Sequence, residues 1–221
     1  MNTSFSRLCP REIEEAALQN LHREVSRQLI QGARTSLSGN GCPFETQDNL
    51  HEFSTSKGFD DRNEGGGVMC MGVVSHPDLP KRVYKLVYTG HDSVDVYIEY
   101  AEWLYENRLW EDNPHFPRIY EINYSEDRQV ALVVIEELQE FLWDEAPDYL
   151  KDDYFIARGK LGLLSKDQPP GWAASNRPLE HAVETIRQRF GVRTDLLFDL
   201  HKGNVMLRGE ILVITDPIAP R

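Results

Sequence analysis

Phe198-Asp199-Leu200-His201-Lys202-Gly203-Asn204-Val205-Met206-Leu207 is the stretch on which the reading of this chain turns. Arg208-Gly209-Glu210 follows as a turn, and then Ile211-Leu212-Val213-Ile214-Thr215-Asp216-Pro217. Two short apolar runs joined by a glycine turn predict a strand hairpin. The polar residues stand at its open end: Asp199 and Asn204 before the first strand, Asp216 after the second. Phosphoryl transfer to a hydroxyl needs such a set. One carboxylate orients the acceptor hydroxyl and takes its proton, while an Asn and a second Asp hold magnesium on the nucleotide phosphates. A hairpin between them fixes those side chains rigidly, and this chemistry depends on positioning.

Upstream, Gly65-Gly66-Gly67 leads into Val68-Met69-Cys70-Met71-Gly72-Val73-Val74. After the turn residues Ser75 to Pro80 comes Arg82-Val83-Tyr84-Lys85-Leu86-Val87-Tyr88. This predicts strand, turn, strand with a glycine-rich entrance. Glycines let backbone approach phosphates without side-chain obstruction, and Lys85 is placed to contact the α and β phosphates. A helix is predicted over 92–110, capped by Asp92 or Ser93, with Val94, Ile98, Ala101 and Tyr105 as its apolar face. Two strands, Arg118 to Tyr124 and Val130 to Ile135, follow around an acidic turn. Glycine turn, strand lysine, helix, two strands, then Asp/Asn/Asp is the chain order of a protein kinase. Taken singly, Lys85 is an ordinary strand lysine and the glycines an ordinary loop; the joint order carries the reading.

The chain resembles the serine/threonine protein kinases of T7-like bacteriophages. The residues that carry the resemblance are Val74-Ser75-His76-Pro77-Asp78-Leu79-Pro80-Lys81-Arg82-Val83-Tyr84-Lys85, Phe116-Pro117-Arg118-Ile119-Tyr120-Glu121-Ile122, and Phe198 to Pro217, which combines Asp-Leu-His-x-Gly-Asn with Ile-Thr-Asp-Pro. It covers residues 65–221. The resemblance implies ATP- and magnesium-dependent phosphorylation of host proteins early in infection, with transcription and RNA-processing machinery, RNA polymerase included, among the targets. It also implies the host bacterial cytoplasm as the site of action. Carried over by residue, Asp199 is the catalytic base, Asn204 and Asp216 are the magnesium ligands, and Lys85 is the phosphate-contacting lysine. Gly66, Gly67 and Val73 belong to the phosphate loop. His201 takes the place of a phosphate-contacting lysine, and Lys202 beside it could supply the charge. Glu102, on the flank of the predicted helix, is favoured over Glu99 as the partner of Lys85.

Departures from the common kinase pattern are visible. Gly66-x-Val68-x-x-Met71-x-Val73 keeps one glycine in register, and Gly67 can substitute if the turn carries a bulge. Leu197 and Phe198 stand where common kinases have His and Arg, so Phe198 cannot clamp a phosphorylated loop by charge. Pro217 follows Asp216 and restricts the backbone there. The sequence ends at Arg221, five residues after Asp216, with no Ser, Thr or Tyr in between. The expectation is therefore a minimal kinase, or the catalytic part of a longer protein, without activation-loop phosphorylation.

Composition limits the remaining classes. The 221 residues carry 36 acids and 24 bases, a net charge of −12. That opposes a broad nucleic-acid surface. It does not exclude a nucleotide held through a metal. Neither a membrane span nor an apolar signal-peptide core is visible. Cys9, Cys42 and Cys70 have no metal-ligand spacing and read as free thiols of a reducing cytoplasm, Cys70 as a small apolar filler. Residues 136–153 hold eight acids with Phe141, Leu142, Trp143 and Tyr149 interleaved. They read as a solvated face, with docking to a basic partner as the minor alternative. The four tryptophans read as packing, and His76, His91 and His115 as surface loop residues. A helix from Pro10 carries Ile13, Ala17, Leu21, Val25, Leu29 and Ala33 at helical spacing, and another is expected over 178–190.

The expected fold is α+β, protein-kinase-like and bilobal. A helical extension and loop occupy 1–57, an N-lobe with an antiparallel sheet 58–138, and an abbreviated C-lobe with the catalytic loop 139–221. ATP is expected between the lobes, with the hinge near Glu136 to Leu138. Two alternatives of other kinds remain: a kinase-like scaffold that binds and inhibits a host enzyme, and a small-molecule kinase, a reading that the Asp-Leu-His-x-x-Asn variant permits.

Overall fold

The computed structural model describes residues 10–37, 52–62, 70–89, 96–164 and 176–221. Gly66, Gly67, His91, Asp92, Ser93, Val94, Trp172, Cys9 and Cys42 lie outside the described residues. The chain is α+β, with antiparallel sheets and several helices. It divides into two compact units: residues up to Gly90 with Asn123–Leu132, and His91–Ile122 with Val133–Arg221.

In the first unit, helix α1 spans Pro10–Leu37. Its predicted face is buried in the second half, where Val25, Leu29 and Ala33 are covered, while Ala17 is exposed. His22 lies 3.2 Å from the Tyr84 hydroxyl, and Arg34 pairs with Asp127 at 3.1 Å. A short helix, α2, covers 52–56. Strands β1 (Asp60–Asp61), β2 (Cys70–Ser75) and β3 (Arg82–Tyr88) pair antiparallel in sequence order. They belong to a sheet ordered β1-β2-β3-β5-β4, whose strands β4 (Ile119–Tyr124) and β5 (Val130–Glu136) each have residues in both units. The β4–β5 turn closes through Ser125 N–H to Val130 O at 2.9 Å, with Arg128 at φ 55°. Buried apolar residues along β5, Val130 to Val134, make it a strand covered on both faces.

In the second unit, helix α3 spans Val96–Asn107 and α4 Leu109–Asp112. One helix had been expected over 92–110, but Arg108 takes a left-handed conformation (φ 49°) and divides the two. The buried stripe of α3 is Tyr97, Ile98, Tyr100, Ala101 and Leu104. Tyr105, expected on that face, is exposed and stacks on Trp110. Strand β6 (Gln139–Glu140) and the hairpin of β8 (Val205–Arg208) and β9 (Ile211–Ile214) form a sheet ordered β6-β8-β9. Gly209 at φ 60° opens the two-residue turn between Arg208 and Ile211, a conformation other residues rarely adopt. Strands β7 (Leu196–Phe198) and β10 (Ile218–Pro220) pair antiparallel.

Helix α6 (Arg177–Phe190) matches its expected position. The Asn176 side chain caps it, accepting from Leu179 N–H, and Leu179, Ala182, Val183, Ile186 and Phe190 are buried. Each large member of that stripe contributes about 1.5–3 kcal/mol of apolar burial. Helix α5 (Asp148–Lys160) was not expected from the acidic run. Its buried residues Leu150, Tyr154 and Ala157 have helical spacing, which the intervening acids obscured. Cys70 is buried, as expected of a small apolar filler. Among the described residues, no helix is long and apolar enough to cross a membrane.

Candidate active site

The second unit brings Asp199, Asn204 and Asp216 onto two adjoining loops. Asp199 follows β7, Asn204 ends a 3-10 turn over Lys202–Asn204, and Asp216 follows β9. Main-chain hydrogen bonds knot these loops together. Asp199 N–H donates to Pro217 O at 2.8 Å, and Asn204 N–H to His201 O at 3.0 Å. The Asn204 carbonyl accepts from Thr215 N–H at 3.0 Å and from Asp216 N–H at 3.4 Å. In its side chain, Asn204 Nδ2 donates to the Asp199 carbonyl. That bond uses one of the two amide N–H donors and leaves Oδ1, a hard oxygen acceptor, outside it. Asp199 and Asp216 are each partly exposed, the Asp199 side chain by 47%.

The knot rests on buried polar contacts. Tyr100 Oη donates to Ile214 O at 2.9 Å, two residues before Asp216. Burial raises the Tyr100 phenol well above its ordinary value, and the charge of Asp216 adds to this. His115, expected at the surface, is 3% exposed. Its Nδ1 lies 2.7 Å from Leu212 O, and its carbonyl accepts from Ile214 N–H at 2.9 Å. Its ring partner Leu212 is 97 residues away in sequence, so no local signal marks its burial. Burial depresses the His115 imidazole, against the opposing effects of Leu212 O, Asp153 and Asn176.

His201 is turned by its own loop. Nδ1 accepts from Gly203 N–H at 3.0 Å, which leaves the proton of the neutral ring on Nε2. Nε2 stands 3.8 Å from Asp199 Oδ2, an electrostatic contact longer than a hydrogen bond. A Cβ at residue 203 would meet the His201 ring at 2.9 Å, so a larger residue there would push the ring from this position. Lys202 is exposed, with Nζ 4.7 Å from the centre of the Trp143 ring. Trp143 was expected to be plain packing, and it also carries this cation.

Glu136, in the expected hinge, is fixed by Arg208. The guanidinium bonds both carboxylate oxygens, the Pro114 carbonyl at 2.7 Å and the Phe116 carbonyl at 3.0 Å. Glu99 accepts from Arg193 Nη1 at 2.7 Å and lies 3.5 Å from Arg189, so its charge is engaged within the second unit. Glu102 is half-buried beside Ala101.

The first unit places Val73 directly opposite Lys85 across the β2–β3 pair. Directly paired residues point to the same face. Both are half-buried, while Val74, Tyr84 and Leu86 are buried. The register shifts between Cys70 and Gly72, a bulge in the strand just after the glycine-rich entrance.

Asn204 and Asp216 bring one amide oxygen and one carboxylate to these loops, fewer groups than a closed metal cage needs. Among the described residues, no group of three His, Cys, Asp or Glu side chains could hold a metal ion. An ion shared with bound phosphates needs no such group. The sequence model of the family described as bacteriophage T7 protein kinase 0.7 matches residues 42–219, most of the chain. Among curated proteins, no match was found.

Proposed function

Because the chain belongs to the bacteriophage T7 protein kinase 0.7 family, we propose that it is an ATP- and magnesium-dependent serine/threonine protein kinase of a phage. Its acceptors are host proteins of the transcription and RNA-processing machinery, phosphorylated in the host cytoplasm. The observation that carries this reading is the knot that joins Asp199, Asn204 and Asp216 through the Asn204 and Pro217 carbonyls.

In this reading Asp199 accepts a hydrogen bond from the acceptor Ser or Thr hydroxyl. The hydroxyl oxygen forms a bond to the γ-phosphorus, the bond from that phosphorus to the β–γ bridging oxygen breaks, and ADP leaves. The hydroxyl proton passes to Asp199. Asn204 Oδ1 and the Asp216 carboxylate would hold magnesium, which supplies positive charge to the phosphates when bound. His201 Nε2 faces the Asp199 carboxylate and steadies its orientation. Lys85, Val73, Gly66 and Gly67 are the proposed nucleotide-contacting residues. Lys202 stands in reserve as a second cation on the catalytic loop. The N-lobe of this reading is 58–138 and the abbreviated C-lobe 139–221.

The test is transfer of radiolabelled phosphate from ATP to host lysate and to the chain itself. Wild type should label protein in a magnesium-dependent way, and Asp199→Ala and Asp216→Ala should not. Equal labelling by all three would remove the proposal. Phosphoamino-acid analysis of the product decides between Ser/Thr and other acceptors.

A further inference from the structure

Beside the catalytic loop, within the second unit, lies a cavity of about 300 Å³ lined by Trp143, Tyr154, Phe155, Arg158 and Lys202. It is tied to the residue after Asp199. Tyr154 Oη and Arg158 Nη1 both donate to Leu200 O, each at 3.3 Å. Arg158 also donates to Tyr154 Oη at 2.9 Å and to Leu163 O at 3.1 Å. All these acceptors are neutral. Arg158 Nε is buried and has no hydrogen-bond partner. Lys202 Nζ rests over the Trp143 ring. Among the described residues, neither Arg158 nor Lys202 has a carboxylate within ion-pair distance, although the chain carries 12 more acids than bases. Two un-neutralised cations at one aromatic cavity in an acidic chain attract an anion, and the partly desolvated site strengthens that attraction.

The rings argue against a stacked nucleobase. Trp143 meets Tyr154 at 5.5 Å and Phe155 at 5.4 Å, both edge to face, so the rings pack on one another. Lys202 and Lys151 occupy positions over the Trp143 face, at 4.7 and 6.0 Å from its centre. A base would have to displace these cations, whereas a carboxylate or phosphate would pair with Lys202, Lys151 being already paired with Asp148 at 3.7 Å. We infer that this cavity is an acceptor-polypeptide subsite that receives an acidic side chain, Asp, Glu or a phosphorylated residue, a few positions from the phosphorylated hydroxyl. The inference rests on the kinase reading for its word "acceptor". The anion site itself does not depend on catalysis.

The experiment measures binding and transfer in parallel. Fluorescein-labelled peptides with a central Ser carry Glu, phosphoserine or Lys at each flanking position in turn. Anisotropy with the wild-type chain should show binding about tenfold tighter for Glu or phosphoserine than for Lys at one position, weakening with salt. Comparing the Glu and phosphoserine peptides decides which acid fits. Lys202→Glu, at an exposed position, should erase or invert that preference, with circular dichroism reporting an intact fold. A wild type without preference, or an unchanged preference in Lys202→Glu, overturns the subsite. So does a single-stranded RNA oligonucleotide that binds more tightly than the acidic peptides and displaces them. Phosphate transfer to peptides without the preference overturns the subsite alone. A preference without any transfer overturns the kinase reading alone and leaves an acidic-peptide site.

Discussion

Residues 196–220, which carry the proposed catalytic loop, and residues 141–160, which pack beside it, hold their shapes by different means. The first segment is shaped by main-chain bonds: the β7–β10 and β8–β9 ladders, Asp199 to Pro217, and Asn204 to Thr215 and Asp216. The second is shaped by side chains. Phe141, Trp143, Tyr154 and Phe155 form a ring cluster with centroid separations of 5.4–5.9 Å. Main-chain scaffolding leaves side chains at liberty for chemistry. Side-chain scaffolding uses them up. Substitutions in the first segment should therefore cost activity, and those in the second should cost stability.

The largest effect expected is on catalysis. Asp199→Ala or Asp216→Ala should lower phosphate transfer by at least about 10³-fold, with the unfolding midpoint little changed. Radiolabel transfer and urea unfolding measured on the same preparations decide it. A large stability loss without loss of transfer would dissolve the contrast between the segments. Next comes Tyr154→Ala, which removes a buried ring and two hydrogen-bonding contacts, and should cost about 3–5 kcal/mol. Urea denaturation reads this directly. Tyr100→Phe deletes one donor and leaves Ile214 O unsatisfied, at a cost of about 1–3 kcal/mol in the same assay.

The fourth prediction concerns pH. The folded-state pKa of His115 lies below its ordinary value of 6.5 because of burial. Above that value both folded and unfolded states hold the ring neutral, and its contribution is complete. As pH falls below it, the unfolded state binds the proton first, so stability declines until the folded-state value is passed. One such group gives a slope of at most about 1.4 kcal/mol per pH unit. Urea unfolding of wild type and His115→Gln across this range should show a shallower slope in the variant. The smallest effect belongs to the first unit. Arg34→Ala removes an exposed pair with Asp127 and should change stability by about 0.5 kcal/mol or less.

The same contrast explains what could be read in the sequence. In 196–220 the apolar alternation, the Gly209 turn and the polar residues at the strand ends are all local, so the hairpin and the meeting of Asp199, Asn204 and Asp216 were legible. Helix α6 was legible for a similar reason, from one strong apolar stripe. In 141–160 the helical spacing of Leu150, Tyr154 and Ala157 was present, but Asp148, Asp152 and Asp153 gave the segment the look of a solvated face. His115, Arg208 and Arg158 act through carbonyls 42 to 97 residues away. Composition and spacing hold no trace of such pairings. Tyr105 was misassigned because the left-handed Arg108 ends the helix early and changes which side of its last turn is covered.

Tyr100 has a use that follows from its burial. Its phenol is fully covered, bonded to Ile214 O, and sits in the field of Asp216. A phenolate cannot donate to that carbonyl, and its charge would be stranded away from water. In an alkaline titration this tyrosine should therefore keep its proton until the second unit opens. The ultraviolet absorbance of its ionised ring would then rise together with the loss of ellipticity. The protein thus carries a colourless indicator, bonded to the carbonyl two residues before its proposed metal ligand, that changes when the scaffold behind the proposed catalytic loop comes apart.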